Sequence, residues 1–135
     1  MLRALTVALL LLRACDSGAS PTEGSVPGTF GKPVTLKVGE TASFEGGSVE
    51  LGFDSVTEDS RCPVDVQCIQ AGWATLQTTL RKAGSSQALE VTGPERPAAT
   101  AAGISVKVIS VEPVMRSNVR IDRRGYVVAF EVTNR

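Results

Sequence analysis

Residues 34–53 read VTLKVGETASFEGGSVELGF, and their apolar side chains recur with a period of two. Val34, Leu36 and Val38 alternate with Thr35 and Lys37 before Gly39-Glu40 turns the chain. After a Gly46-Gly47 turn, Val49, Leu51 and Phe53 alternate with Glu50 and Gly52. Successive side chains of a strand point to opposite faces, so this pattern marks strands buried on one side. The same period returns downstream. Leu76 and Leu80 share a face with Ala74 and Thr78, and Ile104, Val106 and Val108 alternate with Ser105 and Lys107. Tyr126, Val128, Phe130 and Val132 form one face of a last strand, with Glu131 on the other. The phase slips at Val108-Ile109, which predicts a bulge or a change of face. No window after residue 30 carries a capped helical stripe. The Ala-rich stretch 98–102, preceded by Pro94 and Pro97 and ended by Gly103, has room for one helical turn. Short strands between Gly, Pro and Ser turns predict an all-β fold. It is a small antiparallel sandwich or barrel-like domain of about 6–7 strands over residues 31–135, with one disulfide.

Upstream the composition changes. Met1-Leu2-Arg3 is a short positive start, and Ala4 to Leu12 is apolar apart from Thr6. A helix needs about 20 apolar residues to cross a bilayer, so this run reads as the core of a signal peptide over residues 1–14. Leu12-Arg13-Ala14-Cys15 resembles a bacterial lipobox, in which the Cys thiol receives a diacylglyceryl group and becomes the first residue after cleavage. Arg13 departs from that pattern, where a small uncharged residue is usual. Residues 15–30 are then the lipidated Cys15 and a flexible tether of Ser, Gly, Pro, Thr and acidic residues with little to bury. Two acyl chains suffice for stable anchoring. The expected location is the cell envelope, lipid-anchored on the non-cytoplasmic side of a bacterial membrane. Release as a secreted or periplasmic protein is the alternative.

Cysteine arithmetic points the same way. The chain has three cysteines, an odd number for an exported protein. If Cys15 carries lipid, Cys62 and Cys68 remain as one pair. Closing so short a loop is worth roughly 2 to 3 kcal/mol by chain entropy and mainly fixes local shape.

That pair lies in Asp54 to Leu76, DSVTEDSRCPVDVQCIQAGWATL. The run Asp59-Ser60-Arg61-Cys62-Pro63, then Cys68, then Ala71-Gly72, resembles a group of uncharacterised bacterial envelope proteins, many of them predicted lipoproteins, with a D-S-R-C-P…C-x-x-A-G motif. Val38-Gly39-Glu40 and the Val108 to Pro113 stretch also look like that group, so the resemblance spans most of residues 36–132. A Trp often precedes the A-G pair there; here Gln70 does, and Trp73 follows. The resemblance implies a compartment and a fold but no activity.

Four readings of the loop compete. It is a structural staple, with Trp73 plugging the core against the disulfide and Arg61 pairing with Asp59 or Asp65 on the surface. It is an interaction loop, presenting Arg61, Pro63, Asp65 and Gln67 on a rigid ring to an envelope protein. It is a thiol-redox centre, against which five intervening residues and the missing helix argue. Or it is a calcium site drawn from Asp54, Glu58, Asp59 and Asp65, which follow no EF-hand spacing.

Charge narrows the partners. Lys plus Arg equals Asp plus Glu at 14 each, so the chain has no electrostatic footprint for nucleic acid. Histidine is absent, which removes the commonest general base, the commonest zinc ligand and every Ser-His or Cys-His nucleophile pair. No catalytic residue, metal ligand or cofactor is assigned. A carboxylate-dependent hydrolase would have to draw on strand residues such as Glu50, Glu90 and Glu131. Arg116, Arg120, Arg123 and Arg124 flank a hairpin turn at Asp122 to Gly125, placed at the opposite end from Asp65. If that turn faced a membrane it could meet anionic head groups, but the sequence offers the arginines no apolar anchor. The reading is a membrane-anchored envelope lipoprotein whose β-domain is a structural or protein-interaction module.

Overall fold

The computed structural model describes residues 24–135, in which nine strands make two sheets. They are β1 (Ser25–Pro27), β2 (Pro33–Lys37), β3 (Thr41–Phe44), β4 (Val49–Asp59), β5 (Ala74–Lys82), β6 (Ser85–Gly93), β7 (Ala99–Ala101), β8 (Ile104–Glu112) and β9 (Val127–Asn134). One sheet has the order β1-β3-β4-β5-β6 and the other β2-β9-β8-β7. All pairs are antiparallel except β1 with β3. The inner faces hold the alternating residues: Val34, Leu36, Leu51, Phe53, Leu76, Leu80, Val106, Val128 and Phe130 are all buried. Phe53 and Phe130 meet edge-on across the two sheets with ring centroids 5.5 Å apart. Buried Thr78 sits on that face and donates its hydroxyl to the Leu89 carbonyl at 2.7 Å. The fold is therefore an all-β sandwich.

The phase slip in β8 is a bulge between Val108 and Ser110, which turns Ile109 outward and Val111 inward. Two expectations are corrected. The strand count is nine rather than six or seven, because β1, β3 and β7 are too short to show a period and β6 is polar along its first half. The Ala-rich stretch holds no helical turn. Ala99–Ala101 is β7, joined to β8 by a two-residue turn with φ of 49° at Ala102 and 74° at Gly103. The β5–β6 hairpin repeats the device, with 51° at Ala83 and 76° at Gly84. Positive φ at both turn residues matches the right-handed twist of the flanking strands.

The expected tether also ends sooner. Ser25–Pro27 pairs with Thr41–Ser43, and Phe30 stacks on Phe44 at 5.1 Å, so the domain begins before residue 31. Cys15, the signal segment and the rest of the tether lie outside the described residues.

The strand directions give the sandwich two unlike ends. The tight Ala83-Gly84 and Ala102-Gly103 turns share one end, where Lys82 Nζ donates to the Ala102 carbonyl at 3.0 Å. The Gly39-Glu40 turn and the long β4–β5 and β8–β9 connections share the other. Because β1 runs parallel to β3, away from the Gly39 turn, the chain enters the domain from the long-loop end. The sheet edges are β1, β2, β6 and β7. Three of these are only three to five residues long, and β6, at nine residues, exposes Ser85, Ser86, Gln87 and Ala88.

Candidate interaction site

The β4–β5 loop is built around a bidentate ion pair. Arg61 Nε and Nη2 donate to the two Asp59 carboxylate oxygens at 2.8 and 2.7 Å. The rest of the guanidinium reaches across the sandwich, with Nη1 donating to the Val111 carbonyl at 2.8 Å and Nη2 to that of Pro113 at 3.0 Å. The Tyr126 hydroxyl donates to Asp59 Oδ2 at 3.0 Å. Both side chains of the pair are largely buried, 11% and 7% exposed, so this is no surface contact. Burial alone would raise the Asp59 carboxyl, but the hydrogen bonds and charge of Arg61 hold it below the ordinary aspartate value. The bond to Asp59 raises the Arg61 guanidinium in turn. Burial and the donated bond to Asp59 push the Tyr126 phenol up to about 12.

The neighbouring motif residues close the loop. Ser60 donates from its amide and its hydroxyl to the Trp73 carbonyl, each at 3.0 Å. A Cβ at Gly72 would overlap the Ser60 carbonyl, so only glycine permits that approach. Cys62 and Cys68 form the expected disulfide, with Cα atoms 6.0 Å apart. The ring they close is fastened to the β8–β9 loop: Val64 N–H donates to the Met115 carbonyl at 2.9 Å. Ser117 donates to Asp65 from its amide at 2.9 Å and from its hydroxyl at 2.6 Å, which holds the Asp65 carboxyl below its ordinary value.

Of the four residues proposed for the interaction loop, two are occupied by structure. Arg61 binds Asp59 rather than Asp65, and Asp65 binds Ser117. Pro63 is half-buried, with its carbonyl taking the Val66 amide at 3.3 Å, and Gln67 is exposed. Trp73 is a correction. It is half-buried, absent from the core, and carries the Arg96 guanidinium 4.3 Å above its ring centroid. Arg123 is a second correction. Arg123 and Arg124 line a shallow hollow with Val38, Gly39, Asp54 and Ser55, on the same end as Asp65 and not opposite it. Asp122 to Gly125 is a turn inside the long β8–β9 loop, closed by the Gly125 amide on the Asp122 carbonyl at 2.9 Å.

The loop end also carries side chains that the alternation of strands does not predict. Val64, Val66 and Ile69 of the cysteine loop are exposed, Ile69 completely, as are Val114 and Val119 of the β8–β9 loop. Their signal in the sequence was apolar residues in a segment with no strand period. The carboxylates go to separate partners. Asp54 accepts from Thr79 at 2.7 Å, Glu90 from Gln77 at 3.0 Å, and Glu50 lies 3.6 Å from Arg81, while Glu131 is on the other sheet. Among the described residues no three His, Cys, Asp or Glu side chains gather as a metal site. No family model, no curated protein and no solved structure matches this chain.

Proposed function

We propose that this chain is an exported cell-envelope lipoprotein anchored through Cys15, and that its β-domain is an interaction module working through the cysteine-loop end. One observation carries the second half. Among the described residues six large apolar side chains are exposed, and five of them sit on the two loops that Met115 and Ser117 fasten together. A soluble surface that gathers its apolar residues on one rigidly tied tip presents them to something. The lipobox-like Leu12 to Cys15 and the D-S-R-C-P motif support the first half.

Two measurements test the proposal. Intact mass of protein taken from membranes is expected to show an acylated Cys15 at the amino terminus; a soluble species cut elsewhere overturns the anchor. A photo-reactive residue at exposed Gln67, with a control at exposed Ser86 on β6, is expected to give an adduct in cells, to lipid or to protein, from position 67 alone. Equal labelling from both positions, or none, overturns the interaction surface.

A further inference from the structure

The exposed valines and Ile69 share their end of the molecule with an unusual density of positive charge. Residues 113–125 carry four arginines, Arg116, Arg120, Arg123 and Arg124, against the single acidic Asp122. All four are exposed. Among the described residues the salt bridges are Arg61–Asp59 and Arg81–Glu50, so none of the four is held in an ion pair. The nearby acids are Asp65, which accepts from Ser117 and lies within the field of Arg116, Asp122, which accepts from the Arg124 amide at 2.8 Å, and Asp54, which borders the hollow of Arg123 and Arg124. Exposed apolar side chains and exposed guanidinium groups on the same end of the molecule suit an anionic lipid interface. The apolar atoms enter the boundary between head groups and acyl chains, and each guanidinium takes a phosphate through two N–H donors. The structure supplies the apolar anchor that the arginines lack in the sequence.

The path of the chain favours the lipid surface as the occupant. From Cys15 to Gly24 there are nine residue steps, which span at most about 30 Å when fully extended. Gly24 shares a hollow with Gly39 and Glu40, and Gly39 in turn borders Arg123 and Arg124. A lipid on Cys15 would keep this end of the sandwich within about 30 Å of the bilayer, nearer on average than the Ala83-Gly84 end. We infer that the cysteine-loop end docks on the anionic membrane surface to which Cys15 tethers the domain, with Val64, Ile69 and Val119 inserted and Arg116 and Arg120 on phosphates. This names the occupant of the surface proposed above and takes its tether from that reading.

The test uses acylated protein purified from membranes and incorporated into phosphatidylcholine vesicles with or without phosphatidylglycerol. Amide exchange is expected to slow over residues 64–69 and 114–120 when phosphatidylglycerol is present, and to stay unchanged at the Ala83-Gly84 turn. The pair Arg116→Gln and Arg120→Gln is expected to weaken that protection about tenfold or more, as two charges removed from an anionic surface should. Ile69→Asp, at a fully exposed position that the fold does not need, is expected to abolish it. Exchange that is the same with and without the anionic lipid overturns the inference, as does protection that appears only with a co-purified protein. If intact mass shows no acyl group at Cys15, the anchor fails by itself. Flotation of the unacylated chain with phosphatidylglycerol vesicles then decides the docking: co-flotation upholds it, and its absence overturns it.

Discussion

Tyr126 is the sole tyrosine of the chain, so ultraviolet absorbance titrates one phenol without interference. Its midpoint is expected near 12 in the folded protein and near 10 once urea unfolds it, because burial and the bond to Asp59 disfavour the phenolate. A folded value raised above the unfolded one contributes stability that is whole below pH 10 and is lost as pH climbs to about 12. Tyr126→Phe should remove that alkaline loss; an unchanged profile would show that the phenol does not report the fold. Asp59 has the opposite sign. Its depressed value contributes stability above the ordinary 3.8, and this is lost as pH falls through the lower folded value. Asp59→Asn is expected to cost about 2 to 3 kcal/mol in urea unfolding at neutral pH, since it leaves a largely buried guanidinium without its counter-charge. The penalty should shrink in acid. The sequence already offered Asp59 as a partner for Arg61, two residues away. It could not offer Tyr126, Val111 or Pro113, which reach Asp59 and Arg61 only through the packing of the two sheets.

The strands that were readable are those that bury one face over five or more residues. In β2, β4, β5, β8 and β9 the solvent boundary writes the period directly into the sequence. The strands β3 and β7 escape because four or three residues hold at most two periods, and β7 because alanines serve a helix as well as a strand. The turns hid for a different reason. The strong hairpin signal is Asn-Gly or Asp-Gly, and both two-residue hairpins here use Ala-Gly, placing alanine at φ near +50° where its Cβ is strained. Ala83→Asn and Ala102→Asn should each raise stability by about 0.5 to 1 kcal/mol, read as a higher Tm. A drop in Tm would mean that the alanine methyl groups contribute packing that outweighs the backbone strain. The cysteine ring is the other element whose worth can be measured. Replacing both Cys62 and Cys68 by Ser is expected to cost about 2 to 3 kcal/mol, the chain entropy of a loop this short. An unaltered melting curve would leave the ring a role other than stabilisation.

At the scale of the whole molecule, the sheets come close together where the end of β6 meets β8. A Cβ at Gly93 would overlap the Val108 side chain, so Gly93→Ala should cost about 2 kcal/mol by forcing the sheets apart, visible as a lower Tm. An equal Tm would show that Val108 moves aside freely. The arrangement of the ends was not legible before the pairing of strands was known. Arg123 read as distant from Asp65 because it lies 58 positions later, yet β8 and β9 bring both to one tip. Periodicity says which face a side chain takes, while register and strand direction say which end, and only contacts between distant segments carry that. The open sandwich has a consequence of its own. Copies tethered side by side on one membrane, as proposed here, would meet sheet edge to sheet edge at high two-dimensional concentration. Three edges are too short to template a neighbour, which leaves β6, with its uncharged Ser85 to Leu89 run, as the edge at which crowded copies would pair.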